Sequence, residues 1–303
     1  MHPRSTFAPT KNGLECYRVA TSVIRTRFAP SPTGPLHLGH AFSAITAHDV
    51  ARARGGEFLL RIEDIDQSRA RPEWEAQIYD DLAWLGLTWD GQVLRQSERV
   101  ADYAAAVAQL WDAGLLYSCK CTRRDITQAA SAPQEGVAPH IGPDGLVYPG
   151  TCQSQRTWID DAALRMRISE ALNGKHYIDF QEVDADGVTV GNNITSAEYI
   201  TEYIGDFIIF RRNREAAYHL AVVVDDAAQG ITHVVRGEDL KSATPIHVLL
   251  QQLLDYPTPA YIHHPLIRDA TGKRLAKRDD AKAISKFRAE GVSPSDIRAM
   301  IGL

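Results

Sequence analysis

The chain has 303 residues, 44% hydrophobic and 23% charged, an ordinary balance for a globular protein with room for a sizeable core. A net charge of −5 excludes a polycation, so a nucleic-acid partner has to be met by a locally basic face. No apolar run reaches the roughly 20 residues of a membrane span, and the first 20 residues lack the apolar centre of a signal peptide. No membrane association and a cytoplasmic location are therefore expected, where the four cysteines read as thiols or metal ligands.

Residues 1–22, with Cys16, show no sustained periodicity and are expected to form a flexible extension. A β-type run over 22–28 is cut by Pro30 and Pro32 and turns at Gly34. A helix is predicted over about 38–54, ended by Gly55-Gly56, then an apolar strand over 58–62. Trp74, Ile78, Leu82 and Leu85, then Val100, Tyr103, Val107, Leu110 and Trp111, recur at helical spacing. Strands alternating with helices point to an α/β fold with a parallel sheet.

The rhythm breaks near 117. Residues 123–147 are rich in Gln, Ala, Pro and Gly and read as a loop, and a short strand follows at 163–168. The α/β signal returns with two apolar runs read as strands, 206–210 and 220–224, the second opened by Tyr218. A helix over 242–254 and a strand over 261–263 come next. The pattern fits one interrupted domain: a first half at 23–116, an insertion at 117–200, a second half at 201–260, and a tail at 261–303.

Three groups of residues carry chemistry. The first is His37-Leu38-Gly39-His40, which opens a helix behind a strand and a Pro/Gly turn. Gly39 leaves space for close approach, the helix start favours an anion, and both histidines can donate to phosphate oxygens. Near the other end, Gly272 leads the basic run Lys273-Arg274-Leu275-Ala276-Lys277-Arg278, suited to a departing pyrophosphate. Between them, Arg27 ends the first strand and Glu63-Asp64-Ile65-Asp66 ends the second, at the rim where open α/β sheets bind ligands. Arg27 suits a carboxylate, Glu63 an ammonium, and Arg236 offers a second cation for an acidic side chain; Tyr218 either contacts a small ligand or packs in the core. The third group is Cys119-Lys120-Cys121 with Cys152, three thiols that with Tyr148 or His140 would complete a closed tetrahedral zinc site.

Taken together, these residues resemble the class I aminoacyl-tRNA synthetases, in their glutamyl branch. The stretch from Arg27 to His40 is similar to that branch's HIGH region, Arg61 to Asp66 to its second signature, and Arg274 to Arg278 stands at the KMSKS position. The resemblance spans about residues 23–280. It implies a Rossmann-type catalytic domain that forms glutamyl-adenylate from ATP with Mg²⁺ and releases pyrophosphate. It places glutamate against Arg27, Phe28, Ala29, Pro30, Ser31, Glu63, Tyr218 and Arg236. ATP would meet His37, Gly39, His40, Arg274 and Lys277, with His37, His40 and Lys277 as the catalytic group. It also matches Cys119, Cys121, Tyr148 and Cys152 to a structural zinc pattern, which favours Tyr148 over His140.

Two departures narrow the acceptor. Only 26 residues follow Lys277, so no helical anticodon-binding domain is expected, and Val222 stands where glutamyl-tRNA synthetases tend to carry asparagine. Both resemble the short members of the branch that attach glutamate to the queuosine base at the wobble position of tRNA(Asp). A compact monomer of this length, with a radius of gyration of roughly 19 Å, is too small to hold a tRNA by both ends. The anticodon stem-loop is the expected partner. A truncated synthetase charging the terminal adenosine, a small-molecule nucleotidyltransferase and a non-catalytic RNA-binding relative are the alternatives.

Overall fold

The computed structural model describes residues 23–130, 140–267 and 282–303. Its first half runs β1 (Arg25–Phe28), α1 (Leu38–Arg52), β2 (Glu57–Ile62), α2 (Pro72–Trp84), β3 (Leu94–Arg95) and α3 (Val100–Asp112). The next stretch holds β4 (Leu116–Cys119), α4 (Arg123–Ala130), β5 (Ile141–Gly142), β6 (Gly145–Leu146), β7 (Ala163–Met166), α5 (Ile168–Ala171), β8 (Tyr177–Val183) and β9 (Thr189–Ser196). The short α6 (Ala197–Tyr199) and β10 (Ile208–Phe210) lead into α7 (Tyr218–Ala228), β11 (His233–Gly237), α8 (Thr244–Leu253) and β12 (Ala260–His264). After the undescribed residues come α9 (Ile284–Ala289) and α10 (Pro294–Ile301).

Strands β1, β2 and β3 pair in parallel, and so do β11, β12 and β8, with β9 added antiparallel at the edge. The two groups meet where β1 lies beside β11: the Thr232 amide donates to the Arg25 carbonyl at 3.0 Å. β1 thus has β2 on one side and β11 on the other, the strand-order reversal at which open α/β sheets form their ligand crevice. Helix α1 is fixed on the sheet by Ala41, Phe42, Ala44, Ile45 and Val50, all buried, and by the Thr26 hydroxyl, which donates to the Ala47 carbonyl at 2.7 Å. Helices α9 and α10 return to the same core through Ile284, Ile297 and Ile301. Arg298 pairs with Asp49 of α1 at 2.6 Å, and that guanidinium holds the Asp49 carboxyl below its usual range against the opposing effect of burial.

The structure corrects several expectations. The run at 220–224 is part of helix α7, not a strand. Every residue from His219 to Asp226 is buried, so the run shows no polar face to betray its period, and packing overrides the β preference of three valines. The stretch 123–147 is not wholly loop: it contains α4 and the hairpin β5–β6. Strand β10 pairs with β7, which pairs with β4 in a separate antiparallel sheet, so the 206–210 run does not rejoin the parallel sheet. Strand β8, inside the 117–200 stretch, does join it, next to β12.

Candidate active site

At the β1–β11 junction the strand ends open onto a cavity of about 450 Å³. The turn after β1 is held against the end of β2 by the Glu63 amide, which donates to the Pro30 carbonyl at 3.0 Å. This brings Arg27, Phe28, Ala29, Pro30, Ser31, His37, Gly39, His40, Glu63, Tyr218 and Arg236 onto one cavity wall system. Lys273, Arg274 and Lys277 lie outside the described residues, but the flanks of that segment are placed: Leu266 and Ile267 line the cavity, and Ala283 pairs with His37.

His37 is the N-cap of α1. Its Nδ1 accepts from the Gly39 amide at 3.1 Å, and His40 Nδ1 accepts from the His37 amide at 3.2 Å, a capping box built from two imidazoles. A ring nitrogen that accepts carries no proton, so each neutral ring holds its proton on Nε2. The rings lie 3.8 Å apart, centroid to centroid. A Cβ on Gly39 would meet His37 Cε1 at 3.1 Å, so the glycine makes room for the capping ring itself.

The charges behind this wall divide into two sets. Arg27 grips Asp226 with Nε and Nη2 at 2.9 and 3.3 Å, and Arg61 reaches the same carboxylate at 2.6 Å and Glu63 at 3.3 Å. Asp225 accepts from Arg99 at 3.0 Å, Gln96 at 2.8 Å and Tyr103 at 2.9 Å. The guanidinium groups of Arg27, Arg61 and Arg99 are thus matched by the carboxylates of Glu63, Asp225 and Asp226. Burial pushes the Glu63 carboxyl up from its ordinary value, opposed by Arg61 and Arg27, while burial at Asp226 is outweighed by those two cations, which hold it down.

Arg236 differs. It is 5% exposed, and its partners are His247 Nδ1 at 2.9 Å, Thr244 Oγ1 at 2.7 Å and His263 Nε2 at 3.4 Å. Among the described residues no carboxylate lies within ion-pair distance of it. Burial lowers its pKa, and burial followed by Arg236 itself holds His247 well below the ordinary histidine value. A buried guanidinium with neutral partners, beside an open cavity, is a seat for an anionic ligand group.

Tyr218, at the start of α7, lines this cavity and also a second one of about 450 Å³ beneath the insertion, lined by Arg123, Asp144, Arg165, Arg211 and His219. Beyond that cavity stand the thiols. The Sγ atoms of Cys119, Cys121 and Cys152 lie within 4.8 Å of one another, and the Tyr148 hydroxyl is 3.4 Å from Cys119 and from Cys121. Tetrahedral zinc with Zn–S near 2.3 Å and Zn–O near 2.0 Å requires S···O of about 3.5 Å and S···S of about 3.8 Å. The Cys121–Cys152 separation is 3.5 Å, so the donor set is compatible with zinc. His140 faces elsewhere, stacked on Tyr203 at 4.6 Å and 3.1 Å from the Glu202 carbonyl.

The sequence reading did not single out Arg61, Asp225, Asp226, His219 or His247. The adjacent acids Asp225-Asp226 inside an apolar run were the available signal, because a carboxylate pair in a buried element needs cations.

The family model for the catalytic domain of class I tRNA synthetases (E and Q) matches residues 23–303. A glutamyl-Q tRNA(Asp) synthetase of Rhodobacter capsulatus is 59% identical over 283 residues, covering 92% of this chain and 99% of that protein. One from Nocardia farcinica is 42% identical, covering 91% and 82%. A solved glutamate-tRNA synthetase from Elizabethkingia anophelis superposes with a TM-score of 0.67 at 25% identity, over 85% of this chain and 53% of that one, so the chain spans about half its length. The chain belongs to the class I tRNA synthetases of the E and Q family, on their glutamyl-Q tRNA(Asp) synthetase branch.

Proposed function

We propose that the protein activates L-glutamate with ATP and transfers it to the queuosine base at the wobble position of tRNA(Asp). The observation that carries the amino-acid half is Arg236, a buried cation whose described partners are neutral, on the same cavity as Glu63 and the His37/His40 helix start. Glutamate's side-chain carboxylate takes Arg236, its ammonium takes Glu63, and Arg27, with donors left over from Asp226, turns toward the α-carboxylate. Tyr218 closes the side of the site.

In the first step an oxygen of glutamate's α-carboxylate attacks the α-phosphorus of ATP and pyrophosphate departs. The Nε2–H donors of His37 and His40 face the phosphates as charge builds on them. Lys277, six residues before the Ala283 that pairs with His37, is assigned the same task, with Arg274 beside ATP. Mg²⁺ brought in with ATP would supply further neutralisation of the phosphate charge. In the second step a hydroxyl of the queuosine cyclopentene ring attacks the carbonyl carbon of the anhydride, and AMP leaves. The cavity beneath the insertion, walled from the glutamate pocket by Tyr218 and lined by Arg123, Arg165 and Arg211, is the approach assigned to the anticodon loop.

Zinc bound by Cys119, Cys121, Tyr148 and Cys152 would staple the end of the insertion that holds the small buried cluster of Tyr117, Cys119 and Tyr148. The acceptor is tested by charging tRNA(Asp) with labelled glutamate and mapping the labelled nucleotide with nucleases. Label on the anticodon-loop queuosine is expected; label on the terminal adenosine overturns the assignment.

A further inference from the structure

From the tip of hairpin β5–β6 a polar chain runs from Asp144 through two histidines, neither of which the reaction above uses, to Arg236. At its tip, Asp144 Oδ1 lies 2.8 Å from His219 Nε2. His219 Nδ1 lies 2.8 Å from His247 Nε2, and His247 Nδ1 lies 2.9 Å from Arg236 Nη1. The His219–His247 and His247–Arg236 contacts are buried, while the Asp144 side chain is 49% exposed and lines the second cavity beside His219.

The donor inventory leaves one proton arrangement. Arginine only donates, so His247 Nδ1 must accept and the ring carries its proton on Nε2. That proton goes to His219 Nδ1, which must therefore be bare, and His219 donates from Nε2 to the Asp144 carboxylate. Each bond fixes the next. Without an acceptor at 144, His219 gains the freedom to move its proton to Nδ1. Two acceptor-seeking donors would then face each other, either at the His219–His247 contact or at the His247–Arg236 contact. The edges of both histidine rings also pack on Tyr218, at 5.3 and 5.8 Å between centroids.

We propose that Asp144, acting through His219 and His247, is a positioning residue for the Arg236 guanidinium, so that the insertion's hairpin sets how firmly the pocket grips an acidic side chain. The inference rests on the reading of Arg236 as the seat of glutamate's side-chain carboxylate. It assigns the insertion a part in amino-acid binding, beyond any contact with RNA.

The test is glutamate-dependent ATP–pyrophosphate exchange, without tRNA, on wild type, Asp144→Ala and Asp144→Asn, together with ¹⁵N imidazole NMR on the wild type. Asp144→Ala should raise the glutamate KM about tenfold, the scale of one buried polar group left unpartnered, with the KM for ATP unchanged. Asp144→Asn keeps an acceptor oxygen and should restore the glutamate KM to near the wild-type value. The NMR should show both His219 and His247 protonated at Nε2 and bare at Nδ1. A glutamate KM within twofold of wild type in Asp144→Ala, a parallel rise in the ATP KM, or a proton on Nδ1 of His247 would overturn the proposal. If Asp144→Ala does not fold, the NMR result decides. No exchange with glutamate in wild type would instead sink the assignment of the pocket, while the imidazole spectrum would still report on the chain.

Discussion

The amino-acid pocket and the insertion solve the problem of holding polar groups in place by opposite means. In the pocket, strand ends on a packed parallel sheet fix Arg27, Arg61 and Glu63, and the charges hold one another: Asp226 alone serves two guanidinium groups. The insertion contributes β4 and β7 to an antiparallel sheet that β10 completes, a two-stranded hairpin and a small cluster of Tyr117, Cys119 and Tyr148, with three thiols whose spacing suits an ion. One region is rigid because its core is large. The other carries thiols that would hold a metal, sends Leu164, Met166 and Ile168 into the main core, and also meets the first at Asp144 and His219.

The widest gap between the two should appear when Asp226 is removed. Asp226→Ala leaves Arg27 and Arg61 buried without their shared carboxylate and should cost about 3–5 kcal/mol of folding stability. Chemical denaturation would check it, and a loss below about 1 kcal/mol would mean that the cluster is not the framework of the pocket. Arg236→Met should leave folding nearly intact, since it removes a cation with neutral partners, but should lower glutamate-dependent kcat/KM by about 10²–10³-fold, the loss of a desolvated charge pair with ligand. Equal damage to stability would erase the distinction between the two sets of charges.

The pH response sharpens it further. His247 is held well below the ordinary histidine pKa by burial and then by Arg236, so the folded state refuses a proton that the unfolded chain takes up below about pH 6.5. Stability should therefore fall as pH drops from about 6.5 until folded His247 itself titrates, with a slope of up to about 1.4 kcal/mol per pH unit from this residue. His247→Gln should flatten that slope, as read from denaturation midpoints at several pH values. The smallest effect belongs to the metal. If the insertion reaches the pocket through its hairpin, chelation should raise the glutamate KM by no more than Asp144→Ala does, about tenfold, and leave the ATP KM in place.

Sequence and structure agree most closely where the element period is clear. Arg27, Glu63, His37 and His40 stand at strand ends or a helix start, positions that β1, β2 and α1 announce by alternation, proline and glycine, and all of them face one cavity. The sequence is least informative where burial is complete. Helix α7 hides its period because it is surrounded, and with it the meaning of Asp225 and Asp226, whose described partners lie 122 to 199 residues away, and of His219, whose partners Asp144 and His247 lie 75 and 28 residues away. Long-range charge pairing leaves no local pattern. The thiol set was legible as three cysteines, and the family pattern already favoured Tyr148, whose hydroxyl lies 3.4 Å from Cys119 and Cys121, over His140.

The central claim concerns the acceptor, and one measurement addresses it directly: uptake of labelled glutamate into tRNA(Asp) prepared with and without queuosine, with tRNA(Glu) as a third substrate. The account predicts label in queuosine-bearing tRNA(Asp) and background in the other two. Equal labelling of both forms of tRNA(Asp), or labelling of tRNA(Glu), would contradict it.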